Sequence, residues 1–216
     1  LNINIGTLNK NTIPSMFLAG RKANELGHIV LLDPVGAGAS RLRTDTANRL
    51  MQEVRFDAVR GNISEIKTLC TGSGSTKGVD ADAVDAVTEA NLDNGVQLVK
   101  TFAAQTGCII AVTGAIDLVS DGERCWCIRN GRAEMSRITG TGCQLSALMT
   151  AFLVANPDRK LDAAAAAVCM MGLAGEIGWA NMQPGDGNST YRNRIIDAIF
   201  NMTGDALEEG AKYELR

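Results

Sequence analysis

The sequence has a single histidine, His28, among 216 residues. A structural zinc site takes four nitrogen or sulfur ligands, usually as two close pairs. Cys125 and Cys127 form one pair around Trp126, on one face of an expected strand, and no second Cys or His pair completes it. Both read as buried core thiols. A basic excess is also missing, since 21 Lys and Arg stand against 24 Asp and Glu for a net charge of -3. Binding to a phosphate backbone rests on clustered positive charge, so nucleic acid is excluded as a partner. No apolar run reaches the roughly 20 residues of a membrane-spanning helix. The longest, 163–174, has 12 residues and reads as a buried helix, followed by Glu176, a carboxylate in need of a partner. No methionine opens the chain. It begins at Leu1 inside a strand pattern, from which an absent N-terminal segment is expected.

The size and the 45% hydrophobic content suffice for one domain, 1–216, with a substantial core. Six cysteines (Cys70, Cys108, Cys125, Cys127, Cys143, Cys169) lie in apolar or strand-like contexts with no signal peptide pattern ahead of them, which points to a reducing cytoplasm.

Strand and helix signals alternate along the chain. Ile3 and Ile5 alternate with Asn2 and Asn4 before Gly6; a helix is expected over 14–26, stopped by Gly27, and an apolar strand over 28–32 ends at Asp33-Pro34. Strands apolar on both faces belong to parallel sheets. A second helix, capped by Thr44, carries Ala47, Leu50, Met51 and Val54, and a short strand 58–60 leads to a helix near Asn62. The stretch from Thr71 to Gly78 is rich in Gly and Ser and reads as a loop or a lid. Further on come a helix over 92–105, a strand over 108–113, and a hairpin of 116–120 and 124–128 turned by Asp121-Gly122. The remainder reads as helical, ending with Ile195, Ile196, Ile199 and Phe200 on one face. The pattern predicts a three-layer α/β fold, whose ligands gather at the carboxyl ends of the strands.

Four polar features fall at that edge. Thr139-Gly140-Thr141-Gly142-Cys143 runs directly into an apolar helix pattern, so its glycines admit a close ligand and the first helical turn offers unpaired N–H groups. Cys143 stands where an anionic sulfur is favoured. The segment lacks the Gly-Lys-Ser/Thr ending of a P-loop, and Leu145 takes the place of a dinucleotide fingerprint's third glycine. Asp33-Pro34-Val35-Gly36-Ala37-Gly38 puts a carboxylate at a strand end, suited either to its own loop backbone or to a hydrated Mg²⁺. Arg60-Gly61-Asn62-Ile63-Ser64-Glu65 joins a charged fork fit for a polyphosphate to an Asn and a Glu on one helical turn, a spacing that also makes a capping box. Thr113-Gly114-Ala115-Ile116-Asp117 closes the last apolar strand with a hydroxyl and a glycine, where a nucleotide phosphate or base could lie, while Asp121 is accounted for by its turn.

These motifs, in this order, resemble those of hydroxyethylthiazole kinase, a thiamine-salvage family of the ribokinase-like superfamily, from Leu1 to about Phe200. Related pyrimidine and sugar kinases usually carry aspartate where Cys143 stands. The resemblance implies a ribokinase-like α/β/α sandwich with a mostly parallel sheet and one antiparallel hairpin. It implies phosphorylation of the hydroxyl of 4-methyl-5-(2-hydroxyethyl)thiazole by ATP with Mg²⁺. By the same resemblance Arg60 and Thr113 contact ATP and Gly140 contacts the substrate, while the glycine turn with its open helix amides itself reads as an anion hole of Gly140, Thr141, Gly142 and Cys143. The resemblance also implies that Asp33, Asn62 and Glu65 order Mg²⁺ through water, and that Cys143 is the catalytic base. A homotrimer with active sites between subunits is implied as well. Against the family pattern, a first βαβ segment that supplies part of the thiazole pocket is expected to be missing from this sequence, and Thr71–Asn94 looks longer than is usual in the family. A hydroxymethylpyrimidine kinase-like activity, or a ligand-binding relative without catalysis, are the alternative readings.

Overall fold

The computed structural model describes residues 1–72 and 86–216. The elements run β1 (Asn2–Asn4), α1 (Thr12–Glu25), β2 (Leu31–Asp33), α2 (Arg41–Glu53), β3 (Ala58–Asn62), α3 (Ile63–Gly72), α4 (Leu92–Thr106) and β4 (Ile109–Thr113). Then follow β5 (Asp117–Ser120), β6 (Cys125–Ile128), α5 (Thr141–Ala155), α6 (Lys160–Ala180), α7 (Asn188–Asn201), α8 (Gly204–Gly210) and β7 (Tyr213–Leu215). The strands form one seven-stranded sheet in the order of the chain. β1 to β4 are parallel, and β5, β6 and β7 are added antiparallel.

Each face of the sheet carries its own core. Ile3, Ile5, Leu32, Val59, Ile110 and Val112 pack with Phe17, Leu50, Ile66, Val99 and Phe102 of α1 to α4. On the opposite face Leu31, Ala58, Ile109, Ala111 and Val119 pack with Met149, Leu153, Val168, Tyr191 and Ile195 of α5 to α7. This is the three-layer α/β/α sandwich expected from the alternating elements.

The two-residue strand period decides what reaches the site. Because Ile3 and Ile5 face α1 to α4, Asn4 faces α5; because Leu31, Ala58 and Ala111 face α5, so do Asp33, Arg60 and Thr113. Register then lines them up, with Asn4 opposite Asp33 and Asn62 opposite Thr113.

Several boundaries differ from expectation. β2 starts only at Leu31, where neighbours Asn2 and Ala58 are available to pair; Val30 instead gives its N–H to the Asp57 carboxylate at 2.9 Å. The cap of α2 is Ser40, whose Oγ accepts from Arg43 N at 3.4 Å, while Thr44 sits one turn in, accepting from Gly38 N at 2.9 Å. The C-terminus is not wholly helical, since Tyr213–Leu215 forms β7 against β6. On α7, Ile195 is buried but Ile196 and Phe200 face outward, Phe200 at 87% exposure, because residues one apart diverge by 100° on a helix. Part of the Thr71–Asn94 stretch, residues 73–85, lies outside the described residues.

The 163–174 run belongs to a longer helix, the 21-residue α6, which by length and composition could cross a membrane. Its most apolar window is 72% buried within the fold, so it is a core helix. Small residues let neighbours come close: a Cβ at Gly172 would stand 2.7 Å from the Asn130 backbone. Glu176 finds its partners in Gly131 N (2.9 Å), Asn130 Nδ2 (3.3 Å) and Lys212 Nζ (2.7 Å).

Candidate active site

At the carboxyl edge of the parallel strands, Asp33 is fully buried. Its Oδ2 accepts from Ser146 Oγ at 2.9 Å and from Asn4 Nδ2 at 2.8 Å, and its Oδ1 lies 3.4 Å from Arg60 Nη1. Burial pushes this carboxyl above the usual carboxylate range; Arg60 and Ser146 pull against that shift, and the Glu65 charge adds to it. Arg60, 9% exposed, gives Nη2 to Thr113 Oγ1 at 2.9 Å. Its Nε is buried without a partner among the described residues. A guanidinium so enclosed, with a donor unspent, is a group built for a further acceptor.

The other end of the guanidinium, Nη1 and Nη2, lies against the start of α5. Gly140 precedes the helix at φ +97°, a conformation that favours glycine, with no protein atom within 4 Å of where its Cβ would be. At Gly142 a Cβ would lie 2.7 Å from Arg60 Nη2 and 2.8 Å from Nη1, so glycine is what lets the guanidinium rest against the first turn. The first intrahelical bond runs from Gln144 N to Gly140 O at 2.9 Å. Among the described residues, no acceptor meets the N–H groups of Thr141, Gly142 and Cys143. Three open amides, a helix N-terminus and a cation therefore share one spot. Cys143 is exposed there, its sulfur accepting from Asn4 Nδ2 at 3.2 Å. The other five cysteines are buried, and burial pushes the Cys70 and Cys169 thiols up to about 12.

Asn62 and Glu65 form the reciprocal capping box: Asn62 N donates to Glu65 Oε2 at 2.8 Å, and Glu65 N donates to Asn62 Oδ1 at 2.9 Å. Glu65 Oε1 also takes the Gly36 N–H at 2.8 Å, which ties the glycine turn after Asp33 to the start of α3. No three metal-ligating side chains gather into a cage among the described residues. Two carboxylates in electrostatic contact and an amide oxygen, without a cage, suit a hard cation that keeps its waters and leans on phosphate oxygens.

The structure thus brings together Asp33, Arg60, Thr113, Asn62, Glu65 and the Gly140–Cys143 turn. Two neighbours, Asn4 and Ser146, escaped the sequence reading. Asn4 was signalled only by its alternation with Ile3 and Ile5. Ser146 is a lone hydroxyl on the buried face of α5 between Leu145 and Met149. Asp117, opening β5, accepts from Gly114 N at 2.8 Å, and burial pushes its carboxyl up to about 7 against the pull of that bond and of Arg60. Cavities of about 600 Å³ beside Val54 and Phe102, and about 530 Å³ beside Trp126 and Tyr213, lie elsewhere and include none of these residues. Polar convergence, rather than volume, locates the site.

The fold and this edge define a ribokinase-like protein. Over its whole length the chain superposes on the pyridoxal kinase of Staphylococcus aureus with a TM-score of 0.61 at 17% identity, covering 72% of that chain, a likeness of fold. At the level of family, a sequence model of the hydroxyethylthiazole kinase family matches residues 1–205. The chain is 54% identical over 214 residues to the hydroxyethylthiazole kinase of Clostridium acetobutylicum, spanning 99% of this chain and 78% of that protein. Identity to the enzyme of that name from Clostridium beijerinckii is 45%, over 98% of this chain and 75% of the other. The solved hydroxyethylthiazole kinase structure from Pyrococcus horikoshii OT3 matches with a TM-score of 0.86 and 30% identity, covering all of this chain and 76% of that one. The chain belongs to the hydroxyethylthiazole kinase family.

Proposed function

We propose that this chain, as a single domain, transfers the γ-phosphoryl group of ATP to the primary hydroxyl of 4-methyl-5-(2-hydroxyethyl)thiazole. The observation that carries the reading is the contact of the Arg60 guanidinium with Gly142, beside three amides that no acceptor among the described residues meets. Amides and guanidinium are fixed before substrate arrives, so they stabilise charge on a transferring phosphoryl without reorganising. Arg60 and Thr113 hold the ATP phosphates, and the open approach over Gly140 receives the alcohol. Cys143 accepts the hydroxyl proton as the alcohol oxygen bonds to γ-phosphorus and the bond to the departing ADP oxygen breaks. Positioning and charge neutralisation account for most of the barrier reduction in such a transfer, so a modest base suffices.

Asp33, Asn62 and Glu65 would hold Mg²⁺ through water. When bound, the ion would supply the positive charge that neutralises phosphate oxygens. We further propose a homotrimer with sites between subunits. Sedimentation equilibrium tests that, with three chain masses expected and one chain mass contradicting it. The free thiols support the cytoplasmic setting expected from the sequence.

The deciding experiment is ATP consumption with the thiazole alcohol, and separately with hydroxymethylpyrimidine, with and without Mg²⁺. Turnover with the thiazole alcohol alone, and only with Mg²⁺, is expected. Preference for the pyrimidine, or binding of ATP with no turnover of either alcohol, refutes the assignment.

A further inference from the structure

Asn4 ends β1 at the edge of the sheet, and its carboxamide touches both sides of the site. Its Oδ1 accepts the Gly6 N–H at 2.8 Å. A side chain at Gly6 would crowd that oxygen, since a Cβ there would stand 2.9 Å from it. This bond fixes which end of the amide is nitrogen: turned over, the NH₂ would face an N–H and the carbonyl would face a carboxylate. Nδ2 then has two protons and meets two acceptors, Asp33 Oδ2 at 2.8 Å and Cys143 Sγ at 3.2 Å. Asp33 is itself held from behind by Ser146 of α5, so the amide cannot follow the sulfur if the sulfur turns away.

We propose that Asn4 is a positioning residue for phosphoryl transfer, whose amide aims the Cys143 sulfur at the acceptor hydroxyl and locks β1, β2 and α5 into one arrangement. The inference rests on the base role proposed above for Cys143. A group bridging a carboxylate and a sulfur must offer two N–H bonds from one atom and bring no positive charge. A serine has one proton to give, and a lysine would neutralise Asp33. Asparagine satisfies both demands and keeps an oxygen for the Gly6 turn. The Asn4 to Cys143 contact joins residues 139 apart in sequence, so it exists only in the folded chain.

The test uses Asn4→Ala and Asn4→Asp, the second retaining an oxygen for Gly6 so that loss of the turn is separated from loss of the donor. Two quantities are read: steady-state kinetics, and the rate at which iodoacetamide alkylates Cys143, the one exposed cysteine. Both variants should lose roughly 10- to 100-fold in kcat, with the KM for ATP little changed. The alkylation rate should shift by about threefold or more, because the donor at the sulfur is gone. In a Cys143→Ala background, Asn4→Ala should cost nothing further, as expected for two residues acting as one unit. Wild-type kcat and alkylation in both variants, while Cys143→Ala alone is slow, would overturn the role of Asn4 and leave the base in place. An equal loss from Asn4→Ala in both backgrounds would overturn it too, by placing its effect elsewhere. Full turnover by Cys143→Ala would remove the base reading, and this inference with it.

Discussion

Gly142 is small because Arg60 is close, and a methyl group there tests the anion site directly. The added Cβ would meet Nη1 and Nη2 at 2.8 and 2.7 Å, below any tolerated contact, and the guanidinium must move because the helix backbone cannot. Gly142→Ala should raise the KM for ATP about tenfold, equivalent to ~1.4 kcal/mol of lost binding. Thermal stability should hardly fall, since replacing glycine by alanine inside a helix contributes ~0.5–1 kcal/mol in the other direction. A variant with unaltered KM would show that Arg60 does not touch the nucleotide. Cys143 is tested by the opposite signature. Cys143→Ala and Cys143→Ser should bind ATP as the parent does, by calorimetry, yet turn over about 10²–10⁴-fold more slowly. Undiminished turnover would leave the sulfur without a role.

At the scale of elements, local chemistry decides where α2 begins. Ser40 in an extended conformation caps it, but at 3.4 Å the bond is long, so Ser40→Ala should cost only ~0.5–1 kcal/mol by urea unfolding. Thr44→Val should cost at least as much, although Thr44 is no cap, because it strands the Gly38 N–H that its hydroxyl accepts. A neutral Thr44→Val would mean that water replaces the bond freely. Both residues are good cap formers four positions apart, so composition alone did not separate them. Of the four parallel strands, β1 was legible from its alternation of Ile with Asn and β2 to β4 from apolar runs ending in a polar residue, and the site with them, because the strand period places Asp33, Arg60 and Thr113 on one face. The capping box of Asn62 and Glu65 was legible from spacing. β7 was not, since three residues with alternating Tyr, Glu and Leu are too few to show a period, and its partner strand β6 lies far back in the chain, with Ile128 opposite Tyr213. Ser146 and Asn4 were hidden because their function depends on contacts with distant residues, which no local pattern records.

For the whole molecule, the site is where the parallel half of the sheet meets its antiparallel half, and Asp117 sits on that seam. It opens β5 at the same edge that β4 closes, and it feels Arg60 from β3 and Cys169 from α6. Desolvation pushes its carboxyl from 3.8 to about 7, so between those values the folded state holds a proton that the unfolded chain has released. Stability from this group therefore falls as pH rises through that window, and is level above it. One group can contribute at most about 1.4 kcal/mol per pH unit, and the partial contact of Asp117 with water reduces that slope. Asp117→Asn keeps an oxygen for the Gly114 N–H while removing the ionisation. Urea unfolding of both proteins from pH 4 to pH 8 should show the parent losing stability relative to the variant up to about pH 7, so that the variant is the more stable of the two at pH 8. Parallel curves would mean that the carboxylate ionises as freely in the fold as outside it, and that Arg60 has compensated its burial in full.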